Sequence, residues 1–193
     1  MKALYNTWVL FALTASLGGC MYEREITWRI EGPTQEKGEQ MILLSIGLWE
    51  SATGVSFRLV EQDESALLVF KPGHLSTGVD GLASYEFEKT LDTDKVRMSA
   101  ILTGAVITLR PGIWNGNDEE AKLRLFNHEL GHVLANNGHT SGCPSTMNPN
   151  AVKCGTEWVD DEAASRVERN LSRGWLKDTR DPGLITGMER RVW

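Results

Sequence analysis

Alternating and helical spacings of apolar residues follow one another along most of this chain. In "EITWRIEG" (25–32), Ile26, Trp28 and Ile30 fall on one side, the pattern of a half-buried strand. From 34 to 52 the period changes. Met41, Leu44 and Leu48, joined by Ile42, Ile46 and Trp49, recur at helical spacing, and Gly54 supplies a stop. "VSFRLV" (55–60) alternates again as a strand. "ALLVF" (66–70) is an unbroken apolar run closed by Pro72 and Gly73, which suits a strand covered on both faces. Two further strands are predicted at "GLASYEFE" (81–88) and "AVITLRP" (105–111), with the charged "EKTLDTDK" between them as a solvated loop. Helices are predicted over 119–135 and over "DDEAASRVERNL" (160–171), where Asp160 has the chemistry of an N-cap. The final stretch, "WLKDTRDPGLITGMERRVW", shows no clear period.

Strand, helix, three or four strands, then two helices describe a single α/β domain of the α+β kind, not the regular alternation of a doubly wound fold. No internal repeat or low-complexity segment interrupts it. With 193 residues and 41% hydrophobic composition, the chain can bury one real core. A formal net charge of -6 without a basic stripe argues against nucleic acid as a partner. A monomer is the favoured state.

The first residues read differently. Lys2 is followed by "WVLFALTASL" (8–17), which is too short to span a bilayer comfortably and fits the apolar core of an export signal. It ends in Leu17, Gly18, Gly19 and Cys20, which resembles the bacterial lipobox, whose cysteine is lipid-modified and becomes the new N-terminus. The plain alternative is an ordinary cleaved signal with a chance cysteine. On the lipobox reading, 1–19 is a lipoprotein signal peptide, 20–175 the folded domain and 176–193 a C-terminal tail. The protein is then exported and anchored to the cell-envelope membrane, with secretion as the alternative. Met21 after Cys20 resembles an outer-membrane sorting signal of Gram-negative bacteria. Two cysteines remain. Cys143 and Cys154 bracket a short loop in an oxidising compartment, where a disulfide is expected and two free thiols are the alternative. Such a bridge would contribute about 2–3 kcal/mol on the chain-entropy model.

Three of the four histidines fall in "FNHELGHVLANNGHTSGCPSTMNP" (126–149). On a helix, His128 and His132 share a face at about 5–6 Å between Cβ atoms. Two imidazoles at that spacing can converge on one zinc ion, with Glu129 beside them. A catalytic zinc takes three protein ligands and an open position for water, so the chain must turn sharply and return a third. Asn136, Asn137 and Gly138 tolerate the irregular backbone needed where the helix stops, and His139 is the histidine available nearby. The bland alternatives are a helix with satisfied surface histidines and, for Met147, a plain core methionine.

Taken together, these residues resemble a metzincin zinc metallopeptidase, whose motif is H-E-x-x-H-x-x-G-x-x-H followed by a Met-turn, here "STMNP" (145–149). The resemblance is closest to the matrixin-like branch and covers nearly all of the chain after Cys20. "ITWRI" is similar to the opening matrixin strand, and "ILLSIGLWESATGVSFRLV" to the first helix and second strand, with Trp49 and Phe57 at typical positions. "AVITLRPGIWN" resembles the strand and tryptophan turn before the active-site helix. The resemblance implies a twisted, mostly parallel five-stranded sheet with one antiparallel edge strand, backed by helices, and a cleft above a small C-terminal part. It also implies that Met147 is a hydrophobic floor beneath the zinc ligands and not itself a ligand.

Two departures stand out. The family glycine that ends the helix is Ala135, and the family position of the third histidine is Gly138, so His139 comes one residue late. Snapalysin-type metzincins also carry a histidine at the later place, but with an aspartate at the earlier one, which Gly138 cannot replace. "HTSGCPSTM" is nevertheless close to the snapalysin pattern, and His139 is taken as the ligand. The second departure concerns structural metals. His74 matches the first structural-zinc histidine of matrixins, but the other positions are Ser76, Ser84 and Thr108, which cannot rebuild that site. One zinc ion is expected, and His74 is read as a loop residue.

The resemblance thus implies a zinc-dependent endopeptidase with Glu129 as general base and His128, His132 and His139 as metal ligands. A protein or peptide substrate would lie extended along 81–88, with the 143–154 loop as one wall of the pocket beyond the scissile bond. The competing reading is a non-catalytic, zinc-stabilised envelope lipoprotein that acts as a binding module. The retained Glu129 argues against it.

Overall fold

Apolar alternation at Ile26, Trp28 and Ile30 produces strand β1 (Ile26–Ile30), whose Ile26 and Trp28 are buried. The computed structural model describes residues 25–33, 36–92, 97–135, 138–143, 145–150, 158–175 and 184–192; residues 1–24, on which the expected signal and Cys20 fall, and Cys154 lie outside them. Helix α1 (Glu36–Thr53) follows, with Met41, Ile42, Ile46 and Trp49 buried. It stops where Gly54 takes a positive φ of 72° and donates its amide to the Glu50 carbonyl. Strands β2 (Phe57–Leu59), β3 (Leu68–Pro72), β4 (Gly81–Asp92) and β5 (Arg97–Leu109) come next. One helical turn, α2 (Pro111–Trp114), leads to α3 (Glu119–Ala135), then α4 (Asp161–Leu171) and β6 (Leu184–Val192).

The sheet order is β2-β1-β3-β5-β4-β6. β1 pairs in parallel with β2 and β3, and β3 with β5, while β4 runs antiparallel to β5. These five strands make the expected mixed sheet. Two parts of it differ from the sequence reading. Residues 88–92 of the charged segment read as a loop are instead strand: β4 continues through Asp92 and β5 begins at Arg97, with a bulge between Glu86 and Phe87. A bulge resets the two-residue alternation, which hides such a strand from pattern reading. The stretch without a clear period supplies β6, a sixth strand antiparallel to β4. No helix among the described residues is long and apolar enough to cross a membrane.

α3 is the centre of the domain. Apart from Arg124, its residues from 121 to 135 are all buried, because α1, α4 and strands β4 and β5 pack around it. Edge-on aromatic contacts carry the sheet core into this helix: Trp28 to Phe70 at 5.9 Å, Phe70 to Phe126 at 5.7 Å, and Phe126 to Trp114 at 6.0 Å between ring centroids. A second cluster joins Tyr85 and Phe87 of β4 to Trp175, which follows α4, at 5.7 and 5.6 Å. The helix that bears the histidines is therefore clamped from both sides.

Candidate metal centre

His128 and His132 lie one turn apart on α3, both buried, with Nε2 atoms 3.1 Å apart. His139 returns to the same point: its Nε2 is 3.1 Å from that of His128, and the two rings are nearly parallel at 16°. The ligand atoms of all three lie within 4.8 Å of one another, close enough to hold a metal ion.

Nitrogen ligands 2.0–2.1 Å from a tetrahedral ion are separated by about 3.3 Å, so the observed spacing fits one. The proton arrangement points the same way. His128 Nδ1 is 2.7 Å from the Thr146 carbonyl, which can only accept, so Nδ1 carries the proton and Nε2 the lone pair. That single lone pair faces two other imidazole nitrogens, and a proton can bridge to at most one of them. A cation among the three satisfies all of them. Burial pushes His128 down to about 4, against the raising effect of the Thr146 carbonyl and with a smaller lowering effect from His139; desolvation also lowers His139. Neutral imidazoles are the form that binds metal.

Two arrangements bring the late histidine home. The first holds the end of α3, where Trp175 Nε1 donates to the Val133 carbonyl at 2.8 Å and Asn170 Nδ2 donates to the Ala135 carbonyl. These side chains satisfy carbonyls that the end of a helix leaves open, so the helix is held there without a glycine at position 135. The second is a buried carboxylate. Asp160 accepts from the Ala163 amide at 2.9 Å as the N-cap of α4, and also from the Thr146 amide at 2.7 Å and the Ser145 hydroxyl at 3.0 Å. Burial acts to raise its pKa, but these hydrogen bonds outweigh it and hold the carboxyl below its ordinary range. The clamped turn then offers its carbonyls to His128 and to the segment that carries His139. Thr146 orients His128, and Met147 accepts from the amide of Thr140, next to His139, at 2.9 Å. The Thr140 hydroxyl adds a bond to Ser145 at 3.0 Å.

Met147 is fully buried against Gly131, between the two helical histidines; a Cβ at Gly131 would collide with the Met147 sulfur and crowd the Trp49 ring. Asn127 fixes the roll of α3. Its carbonyl accepts from Trp49 Nε1 at 3.2 Å, its side-chain oxygen from Ser45 at 2.6 Å, and its amide donates to the Trp158 carbonyl at 3.1 Å.

Glu129 is buried against the start of β4. A Cβ on Gly81 would lie 2.5 Å from its Oε1, so glycine lets the carboxylate sit here without shifting. Burial pushes Glu129 up to about 8, opposed by a hydrogen bond from the Ala83 backbone. Its Oε2 is buried with no hydrogen-bond partner among the described residues. A buried oxygen of this kind awaits a proton, a cation or a ligand.

The remaining sequence candidates are placed as follows. Residues 81–83 adjoin Glu129, but β4 is not a free edge over 84–88, because β6 pairs with it from Ser84 onward. Main-chain groups that would otherwise face solvent find partners in a strand from the same chain. Cys143 is disulfide-bonded, and Cys154, its expected partner, lies outside the described residues. His74 is exposed in the loop between β3 and β4, apart from the histidine cluster. The sequence reading missed the second task of Asp160 and the roles of Thr140, Asn170 and Trp175. Ser145 and Thr146 before Met147 were the available signal for a buried acceptor nearby. No protein-family profile matches the chain, and no curated protein matches it.

Two predictions follow from this geometry. Glu129 holds its proton more tightly folded than unfolded, about 8 against 4.5, so its stabilisation is full below pH 4.5 and lost as pH rises toward 8. His128 runs the other way, depressed from 6.5 to about 4, and its contribution is lost as pH falls through that window. The two oppose each other between 4.5 and 6.5, and Glu129 acts alone above. In chelated protein, urea unfolding should show about 1 kcal/mol less stability at pH 8 than at pH 6.5, a slope that Glu129→Gln flattens. Asp160→Asn should weaken divalent-cation affinity about 10- to 100-fold, measured by competition with a chromophoric chelator; unchanged affinity would separate the turn from the metal centre.

Proposed function

We propose that the chain is a zinc-dependent endopeptidase of the metzincin kind. One observation carries the reading: three imidazole nitrogens converge next to a buried glutamate, one of whose oxygens has no partner among the described residues. His128, His132 and His139 would hold the ion. When bound, zinc would lower the pKa of a water to about 7 and polarise the scissile carbonyl.

The chain's own residues supply the rest. Glu129 takes the proton of the attacking water and passes it to the leaving amine. The Thr146 carbonyl keeps His128 in the tautomer with Nε2 inward. An extended peptide would reach Glu129 along the start of β4, adding to it as a strand. The disulfide at Cys143, paired with Cys154, would stiffen the wall beyond the scissile bond. Export with a lipid at Cys20 would place the enzyme on the cell envelope.

A peptide library or denatured casein, incubated with wild type and Glu129→Ala, tests the reading. Glu129→Ala should lower the rate by at least about 100-fold and leave zinc stoichiometry at one per chain. Zinc binding with no Glu129-dependent cleavage would contradict the proposal and leave a metal-stabilised binding module.

A further inference from the structure

Strand β4 reaches Glu129 with its first residues only: Gly81 lies against the carboxylate, and the Ala83 backbone hydrogen-bonds to it. From Ser84 onward the same strand is paired. β6 runs antiparallel beside it, with Val192 opposite Ser84, Arg190 opposite Glu86, Met188 opposite Glu88 and Leu184 opposite Leu91. Its direction is informative. β6 travels from the far end of the β4–β5 hairpin toward Glu129, and its last paired residue stands one position short of Ala83. β6 is the outermost strand and packs chiefly on β4, whereas β4 keeps a full ladder with β5 on its other side. Loss of β6 would uncover β4 without unpairing the hairpin.

A peptide that binds by strand addition needs free main-chain donors and acceptors on the receiving strand. We propose that β6 is a built-in occupant of that edge, so that a peptide gains 84–91 only when the C-terminal strand leaves it. The inference takes its substrate from the endopeptidase reading above. A strand antiparallel to β4 with its C-terminal end toward Glu129 has the polarity of an N-terminal cleavage product, whose new carboxylate is left at the reacting centre. Occupation by β6 is therefore competitive and product-like. Gly187 and the register irregularity between Lys89 and Thr90 weaken the ladder at its distal half, where detachment would begin. A tethered segment acts at roughly millimolar effective concentration. Against a substrate of equal strand affinity, about 100 µM, it would raise the apparent KM about tenfold.

The test uses the full chain, zinc-loaded, as wild type, Arg190→Pro and Arg191→Pro. Strand backbones alternate, so one of these adjacent residues presents its N–H to β4 and loses a ladder bond as proline, while the other faces away and serves as control. The probe is a fluorescein-labelled peptide of sequence LITGMERRVW, the chain's own last ten residues. One proline variant should bind the probe about tenfold tighter than wild type, expose the amides of 84–91 to faster hydrogen exchange, and cleave casein with a lower KM at unchanged kcat. Equal probe binding and equal exchange in all three proteins would overturn the inference, even with Glu129-dependent cleavage intact. Tighter probe binding and faster exchange without cleavage by any of them would uphold the occupied edge and remove the endopeptidase reading instead.

Discussion

The buried Asp160 carboxylate is the interaction on which the three-histidine cluster depends. One oxygen caps α4 through the Ala163 amide, and the other takes the Thr146 amide and the Ser145 hydroxyl. The turn it holds faces the histidines with two carbonyls, one on the His128 ring and one on the residue after His139. A carboxylate in a protein interior is stable only when its lone pairs are filled, and here they are filled by the groups that must be positioned. Helix start, turn and ligand loop are consequently one mechanical unit.

Around that unit the fold supplies stiffness. α3 is buried on nearly every side, its roll fixed through Asn127 and its end held by Trp175 and Asn170. Such a helix cannot easily shift His128 relative to His132, so a third ligand needs to arrive in only one place. The same enclosure removes water from Glu129 and raises its affinity for a proton. Scaffold and chemistry share a cause, the deep embedding of one helix. At the open side, β4 passes from contact with Glu129 to pairing with β6 within three residues.

What could be read in the sequence was local. The four-residue spacing of His128 and His132 is fixed by helix geometry, and strands such as Ile26–Ile30 show their faces in plain alternation. The N-cap chemistry of Asp160 was legible for the same reason. The return of His139 was legible only as chemistry, a histidine past a helix-breaking segment. What brings it back is backbone carbonyls and a carboxylate whose partners lie 14 to 15 residues away in sequence, and such contacts leave no periodic trace. β6 was hidden differently. Glycine and charged residues blur its alternation, and its place is decided by the open side of β4 and not by its own pattern. The last part of β4, beyond the bulge at Glu86 and Phe87, reads as a loop for a related reason.

X-ray absorption at the zinc edge, recorded on zinc-loaded wild type and on His139→Ala, tests the account most directly. Three imidazole nitrogens at about 2.0–2.1 Å in the wild type, falling to two in the variant, is the predicted result. Two imidazoles in the wild type, or an unchanged spectrum in His139→Ala, would contradict the claim that the late histidine completes the metal centre.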